Sequence, residues 1–335
     1  MSIGLMGFGR IGRNVFRQLP SEGMEIGAIV DLAEPEAMAY LLKYDSIYGR
    51  YDGNVDLDGS TLVADGRRIP LVNAREPGEI DWSEYGVSTV VQATGKHRTN
   101  DWCRRHLDAG ASKVILASTP ENPGDMPILL TGVNNEVFTD DAEVIAMGSD
   151  TSNALAPVLQ VLDEEFGVEY MYYTTVHAYT SNERLSDVPT GGFRSSRAAG
   201  ENIIPSATNS AEIITHVLPQ FAGKLSGMTL NVPVENGSTV DSVAMLTRDA
   251  SAEAVNAAVK AAANDRFAGV LGFTDDPIVS TDVRGTTYSG IYDGLTTIVV
   301  DGNMVKTIVW FDNGWGYAAR VVEALQTLTS LEVKV

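Results

Sequence analysis

The sequence predicts an α/β chain: a doubly wound parallel sheet first, then an α+β domain with a mixed or antiparallel sheet. Three observations point that way. Short apolar runs alternate with helical patterns up to about residue 147, the order that a parallel sheet with crossover helices requires. A glycine cluster, Gly7-Phe8-Gly9-Arg10-Ile11-Gly12, joins the first apolar run to the first helical pattern. Beyond residue 150 the strand candidates lengthen and their links become hairpin-like.

Taken in order, Ser2 to Met6 reads as a short buried strand, and Ile11, Val15, Phe16 and Leu19 give the next helix one apolar face. Ile26 to Val30 reads as a second strand and ends in Asp31, nineteen residues beyond Gly12. Strand, GxGxxG, helix, strand and acid in this register form the Rossmann-type dinucleotide fingerprint. Its glycines admit a pyrophosphate to the helix N-terminus, and its acid accepts from the ribose hydroxyls. Thr61 to Val72 predicts a hairpin turning at Asp65-Gly66. Val87 to Val91 leads into Ala93-Thr94-Gly95, followed by a helix from Asn100 to Ala109 and strands at Val114–Leu116 and Val144–Met147.

In the second half, strands are expected at Tyr170–Val176, Met228–Val234, Asp241–Leu246, Thr296–Val300 and Lys306–Phe311. Helices are expected at Ala211–Leu218 and Ala252–Ala263. The polar, aperiodic stretch from Asn182 to Ile204 is long for a loop in a compact domain, which points to function or to an oligomer contact.

The formal net charge is −20, with seven lysines against seventeen arginines. Such a surface repels nucleic acid and anionic membrane, so neither is expected as a partner. Adaptation to a salty cytosol and an ordinary acidic surface both fit that charge. Cys103 is the only cysteine, which leaves no intrachain disulfide, and His97, His106, His177 and His216 show no ligand spacing, so no metal site is expected. No apolar run reaches membrane-span length and no leader pattern opens the chain, so a cytoplasmic protein is expected.

Ser149-Asp150-Thr151-Ser152-Asn153-Ala154-Leu155-Ala156-Pro157 resembles the S-C-T-T-N-C-L-A-P active-site block of glyceraldehyde-3-phosphate dehydrogenases. Thr175-Val176-His177-Ala178-Tyr179-Thr180 resembles that family's T-V-H-A-Y-T. Leu41 to Ser46, Asn202 to Pro205, Leu225 to Met228 and Trp310 to Tyr317 match further blocks in the same order. The resemblance spans essentially the whole chain. It implies an NAD-binding domain at 1–149, rejoined by a C-terminal helix at 314–335, and a catalytic domain at 150–313. It also implies a small-molecule substrate and a homotetramer whose 182–204 loop lies near a neighbouring subunit's cofactor.

Residue by residue, the resemblance assigns cofactor binding to Gly7, Phe8, Gly9, Arg10, Ile11, Gly12, Asp31, Thr94, Gly95, Asn313 and Tyr317, with Asn313 fixing the nicotinamide amide. It assigns substrate binding to Ser149, Thr151, Thr180, Arg194, Arg197, Thr208 and Asn231, and catalysis to His177 and position 150. In the family a thiolate attacks the aldehyde, the histidine acts as base, hydride passes to the nicotinamide and phosphate releases the acyl thioester.

Four positions depart from the pattern. Asp150 stands in place of the cysteine, and a carboxylate is too poor a nucleophile for thioester-like chemistry. Cys103 cannot substitute, because it lies in the 101–106 helix of the cofactor half. Asn231 stands where an arginine should grip the substrate phosphate, Asn209 replaces a glycine and Gly314 a glutamate. Asp150 has two readings: an N-cap for a helix from Thr151 to Phe166, or the partner of His177 in moving a hydroxyl proton. The expected function is an NAD-dependent oxidoreductase of small polar aldehydes, ketones or alcohols without a thioester intermediate. The alternatives are glyceraldehyde-3-phosphate dehydrogenase itself at low activity, and a non-catalytic dinucleotide-binding homologue.

Overall fold

The computed structural model describes residues 1–19, 24–139 and 141–332, so residues 333–335 of the expected C-terminal helix lie outside the described residues. The chain divides into two compact units. One comprises Met1–Leu129, Asn135–Gly148 and Ala318–Val335, the other Leu130–Asn134 and Ser149–Tyr317. Ser149, residues 314–317 and residues 130–134 thus fall in the second unit, unlike the 1–149 and 314–335 bounds read from sequence. Local packing explains this. Ser149 Oγ bonds Ser210, the first turn of the last helix runs at Gly316 against the Tyr288 carbonyl, and Gly132 lies against Phe267.

The first unit is built from β1 (Ser2–Met6), α1 (Arg10–Gln18), β2 (Glu25–Val30), α2 (Pro35–Lys43), a small β3–β4 hairpin (Tyr44–Asp45, Gly49–Arg50), β5 (Val55–Asp58), β6 (Thr61–Ala64), β7 (Arg67–Val72), β8 (Thr89–Gln92), α3 (Asn100–Asp108), β9 (Lys113–Leu116) and β10 (Val144–Ala146). Its sheet runs β10-β9-β8-β1-β2-β7-β6-β5, parallel as far as β7. The chain leaves β1 for β2 on one side and later returns to β8 on the other. The C-terminal ends of β1 and β8 are therefore the topological switch point, where doubly wound sheets bind ligands.

The expected hairpin is present. Asp65 and Gly66 both take positive φ, 50° and 79°, as a type I′ turn requires, and β6 pairs antiparallel with β7. Trp82 anchors the core, buried among Met6, Ala28, Val30 and Val90. A Cβ at Gly4 would fall on its ring. Glycine within a strand costs ~0.5–1 kcal/mol, whereas truncating a buried tryptophan costs ~3–5 kcal/mol, so leaving room for the indole wins.

The second unit holds α4 (Asp150–Phe166), β11 (Val168–Ala178), β12 (Ile204–Ser206), α5 (Ser210–Val217), β13 (Leu225–Val232), β14 (Ser238–Leu246), α6 (Ala252–Asn264), β15 (Leu271–Thr274), β16 (Gly290–Asp293), β17 (Ile298–Val300), β18 (Met304–Phe311) and the start of α7 (Trp315–Glu332). Its sheet runs β12-β13-β11-β14-β18-β16-β15, with β17 also on β18. The β11–β13 and β15–β16 pairs are parallel and the rest antiparallel, so the sheet is mixed. Strand alternation on β11 turns Met171, Tyr173, Thr175 and His177 inward and leaves Tyr170 and Tyr172 half exposed. The inward face is covered by α4, which packs on β11, β14, β16 and β18. No helix among the described residues is long and apolar enough to cross a membrane.

Candidate active site and dinucleotide site

In the first unit, the glycine loop has the shape of a phosphate cradle. Gly7 takes φ +97°, and a Cβ there would lie 2.7 Å from the Ala93 carbonyl carbon and the Thr94 nitrogen. A Cβ at Gly12 would overlap the Gly7 carbonyl oxygen, which fixes the close approach of α1 to β1. At Gly9 nothing lies within 4 Å, leaving the backbone open. Gly9 is the N-cap of α1 and brings no side-chain cap, so the first-turn N–H groups of Arg10 and Ile11 face the opening with the helix dipole behind them.

Asp31 closes the loop. One carboxylate oxygen accepts from the Phe8 N–H at 2.6 Å and the other from the Ala33 N–H at 3.0 Å. Phe8 contributes through that backbone group, since its ring is buried edge-on against Phe16. Thr94 and Gly95, with Gly95 at φ +68°, turn the chain beside Gly7. These features fit a dinucleotide pyrophosphate with its ribose near Asp31.

In the second unit the decisive geometry is at the N-terminus of α4. The cap is Ser149, not Asp150. Ser149 Oγ accepts from the Ser152 N–H at 2.9 Å, and the Ser149 N–H donates to Ser152 Oγ at 2.8 Å, a reciprocal capping box. Adjacent Ser and Asp are equally good caps, and the register falls on Ser149. Asp150 is thereby the first helical residue, and its carboxylate is shared between a first-turn N–H and the histidine. One oxygen accepts from the Thr151 N–H at 2.7 Å and the other faces His177 Nε2 at 3.0 Å.

His177 sits near the end of β11, where alternation turns it inward. Its Nδ1 lies 2.6 Å from the Ala178 carbonyl oxygen. A carbonyl and a carboxylate are both acceptors, so both ring nitrogens are best satisfied as donors, which is the imidazolium. Burial by itself would lower the histidine's pKa. The Asp150 carboxylate, the Ala178 carbonyl and Glu183 together outweigh it, and the pKa is raised.

The surrounding groups hold this pair. Asn231 Nδ2 lies 3.4 Å from the same Ala178 carbonyl and its Oδ1 accepts from Ser206 at 2.6 Å, so the amide is spent on internal contacts. Ser238 Oγ accepts from the Ala178 N–H at 3.0 Å and donates to Asn313 Oδ1 at 3.3 Å. Asn313 and His177 are thus tied through one peptide and one hydroxyl. Thr208 donates to Ser210, which reaches Ser149 at 2.9 Å. Thr151 is buried in the first turn of α4. Tyr317 is buried, and burial followed by the nearby Asp150 charge pushes its pKa well up.

The structure does not join the two loop arginines to this cluster. Arg197 pairs with Asp187 at 3.0 Å, both well exposed, and Arg194 is exposed on the same loop. Two residues that sequence reasoning missed belong to the cluster. Glu183 accepts from both the N–H and the hydroxyl of Thr180, at 2.7 and 2.9 Å. The Thr-x-x-Glu spacing was its available signal. Ser238 had none, because its place depends on strand register.

Residues 1–100 match the family model described as "Glyceraldehyde 3-phosphate dehydrogenase, NAD binding domain", and residues 149–313 the "C-terminal domain" of the same enzyme. Glyceraldehyde-3-phosphate dehydrogenase of Geobacillus stearothermophilus is 43% identical over 332 residues, covering 98% of each chain. Glyceraldehyde-3-phosphate dehydrogenase 2 of Bacillus subtilis is 44% identical over 330 residues, 97% of this chain and 96% of its own. The enzyme of that name from Kitasatospora aureofaciens is 43% identical over 331 residues, 98% and 99% of the two chains.

Proposed function

The chain belongs to the glyceraldehyde-3-phosphate dehydrogenase family, with NAD as its cofactor, and from that premise we propose an oxidoreductase that interconverts a small polar alcohol with its aldehyde or ketone without an acyl-enzyme. The observation that carries this reading is the contact of Asp150 with His177 at 3.0 Å, in the place of a nucleophile. A carboxylate adduct of an aldehyde collapses back, so acyl transfer through position 150 is closed. Proton transfer is open.

Bound nicotinamide supplies the acceptor for the hydride that leaves the substrate carbon. The chain's own residues handle the hydroxyl proton. With Nδ1–H held by the Ala178 carbonyl, the exchangeable proton of the dyad lies between Nε2 and Asp150, and the deprotonated pair takes the hydroxyl proton as the carbonyl forms. In reverse, the protonated pair gives it to the carbonyl oxygen. Ser149, Thr151, Thr180 and Thr208 offer hydroxyls for a polar substrate. Asn231 is neutral and internally bonded, which supports a substrate with no phosphate at that position.

The same reading makes the protein a cytoplasmic homotetramer. The outer face of the second sheet supports assembly, since Tyr170, Tyr172, Val243, Ile298, Val300 and Met304 are exposed there. Sedimentation velocity at micromolar concentration should return a tetramer.

The test is a screen of small aldehydes, ketones and polyols, phosphorylated and not, followed by the absorbance of reduced cofactor. Turnover of an unphosphorylated carbonyl or alcohol, lost in His177→Ala, is expected. Phosphate-dependent oxidation of glyceraldehyde 3-phosphate with a trapped acyl-enzyme would overturn the reading.

A further inference from the structure

We infer that Trp82, His106 and Gln92 form a one-way hydrogen-bond relay that positions the 94–96 turn for NAD, with His106 as a positioning residue of the cofactor site. The inference uses NAD binding alone and is independent of the Asp150–His177 dyad.

The direction of the relay is fixed by chemistry. Trp82 Nε1 lies 3.0 Å from His106 Nδ1. An indole N–H only donates, so Nδ1 is the unprotonated nitrogen and Nε2 carries the proton. Nε2 then donates to Gln92 Oε1 at 3.0 Å. That orients the amide, whose nitrogen donates to Thr94 Oγ1 at 3.0 Å and to the Lys96 carbonyl at 3.2 Å. Thr94 Oγ1 accepts from the Lys96 N–H at 3.2 Å and its hydroxyl donates to the Lys96 carbonyl at 2.9 Å. Reversing any member would set two donors or two acceptors face to face.

Trp82, Gln92 and His106 are at most 1% exposed. Burial, followed by the charge of His97, pushes the His106 pKa down to about 3, so the imidazole stays neutral and its tautomer stays locked. The relay begins on a core indole packed on Gly4 of β1 and ends on Thr94, whose nitrogen lies against Gly7. Its two ends therefore brace both strands of the switch point. A trio needed only for filling could be apolar, since buried polar groups cost free energy unless paired. Here every polar atom of the trio's side chains is paired, and the last bonds fall on the turn beside the phosphate cradle.

The test uses the full-length chain. NAD affinity is measured by titration calorimetry well below the unfolding temperature, beside the apo unfolding midpoint. His106→Leu and Gln92→Leu should each weaken NAD about tenfold, the effect of losing one or two oriented hydrogen bonds. The double variant should be little worse than either single one. His106→Gln, which can accept from Trp82 and donate to Gln92, should recover most of the affinity. Trp82→Phe keeps the packing but frees the tautomer, and should give a smaller loss. A purely structural role would lower the midpoint while folded variants bind NAD as tightly as wild type, and that result would overturn the inference. If His106→Leu fails to fold, Gln92→Leu and Trp82→Phe decide, because unchanged NAD affinity in both overturns it equally.

Discussion

His106 in the first unit and His177 in the second are 0% and 9% exposed, yet their rings face different partners. His106 meets one donor and one acceptor, Trp82 and Gln92, and is held neutral. His177 meets two acceptors, the Ala178 carbonyl and Asp150, and is held toward its charged form. Burial pushes both pKa values the same way, and in His177 it is the largest single influence. The sign of the outcome is set by what the nitrogens touch. A neutral ring with a fixed tautomer suits a scaffold, whereas a ring poised to gain and lose a proton suits chemistry.

The sharpest way to break this contrast is to neutralise Asp150. In Asp150→Asn the dyad loses its charge, and turnover with the substrate found in the screen should fall on the order of 10²-fold or more. Asp150 raises the His177 pKa, so its removal lowers that pKa, and the acid limb of alcohol oxidation, where the rate rises as the pair deprotonates, should move to lower pH. Full activity with an unmoved pH profile would leave Asp150 structural. At a pH above the folded His177 pKa, the apo protein should lose only ~0.3–1 kcal/mol from the missing charge at the α4 N-terminus, because the cap is Ser149 and stays in place.

A second prediction compares the two units. The first unit matches the family's NAD-binding domain, while the proposed function rests on Asp150 and Asn231 of the second, so cofactor selection should follow the ordinary pattern. Asp31 would repel a 2′-phosphate, and no arginine directly follows it. NAD should bind at least tenfold tighter than NADP, about 1.4 kcal/mol. Equal titration curves for the two would contradict the role given to Asp31.

The smallest effect is on stability. The folded pKa of His177 is raised above its unfolded value, so the Asp150 contact contributes stability that is fully present below the unfolded pKa near 6.5 and is lost as pH rises through the folded value. Denaturant midpoints across that range should show a decline that is shallower in Asp150→Asn. His106, held neutral when folded but titrating near 6.5 when unfolded, should contribute the opposite slope, a stability that rises with pH up through about 6.5 and is level above it.

Much of this was legible in the sequence, for physical reasons. Gly7, Gly9, Gly12 and Asp31 are read by residue type and spacing, because backbone conformation at a phosphate turn admits few side chains. Asp65-Gly66 announced its hairpin through the positive φ that both residues tolerate. His177 and Asn313 came through matched blocks. What escaped depended on register. β15 and β16 carry glycines packed under Tyr288 and Val309, which erases their strand signal. Ser238 reaches Asn313 only because β14 pairs antiparallel with β18 and sets it opposite Phe311. The cap at α4 was misplaced by one residue because serine and aspartate signal alike.

Cys103, the chain's only thiol, is fully buried, and burial pushes its pKa up to about 12. Peroxide attacks thiolates that it can reach, and an enzyme working through one stops when that sulfur is oxidised to sulfenic acid. None of the side chains described above around His177 contains sulfur, so alkylating agents and mild peroxide should pass this centre by. On the proposed function, turnover should thus persist under mild peroxide that would silence an enzyme relying on a thiolate.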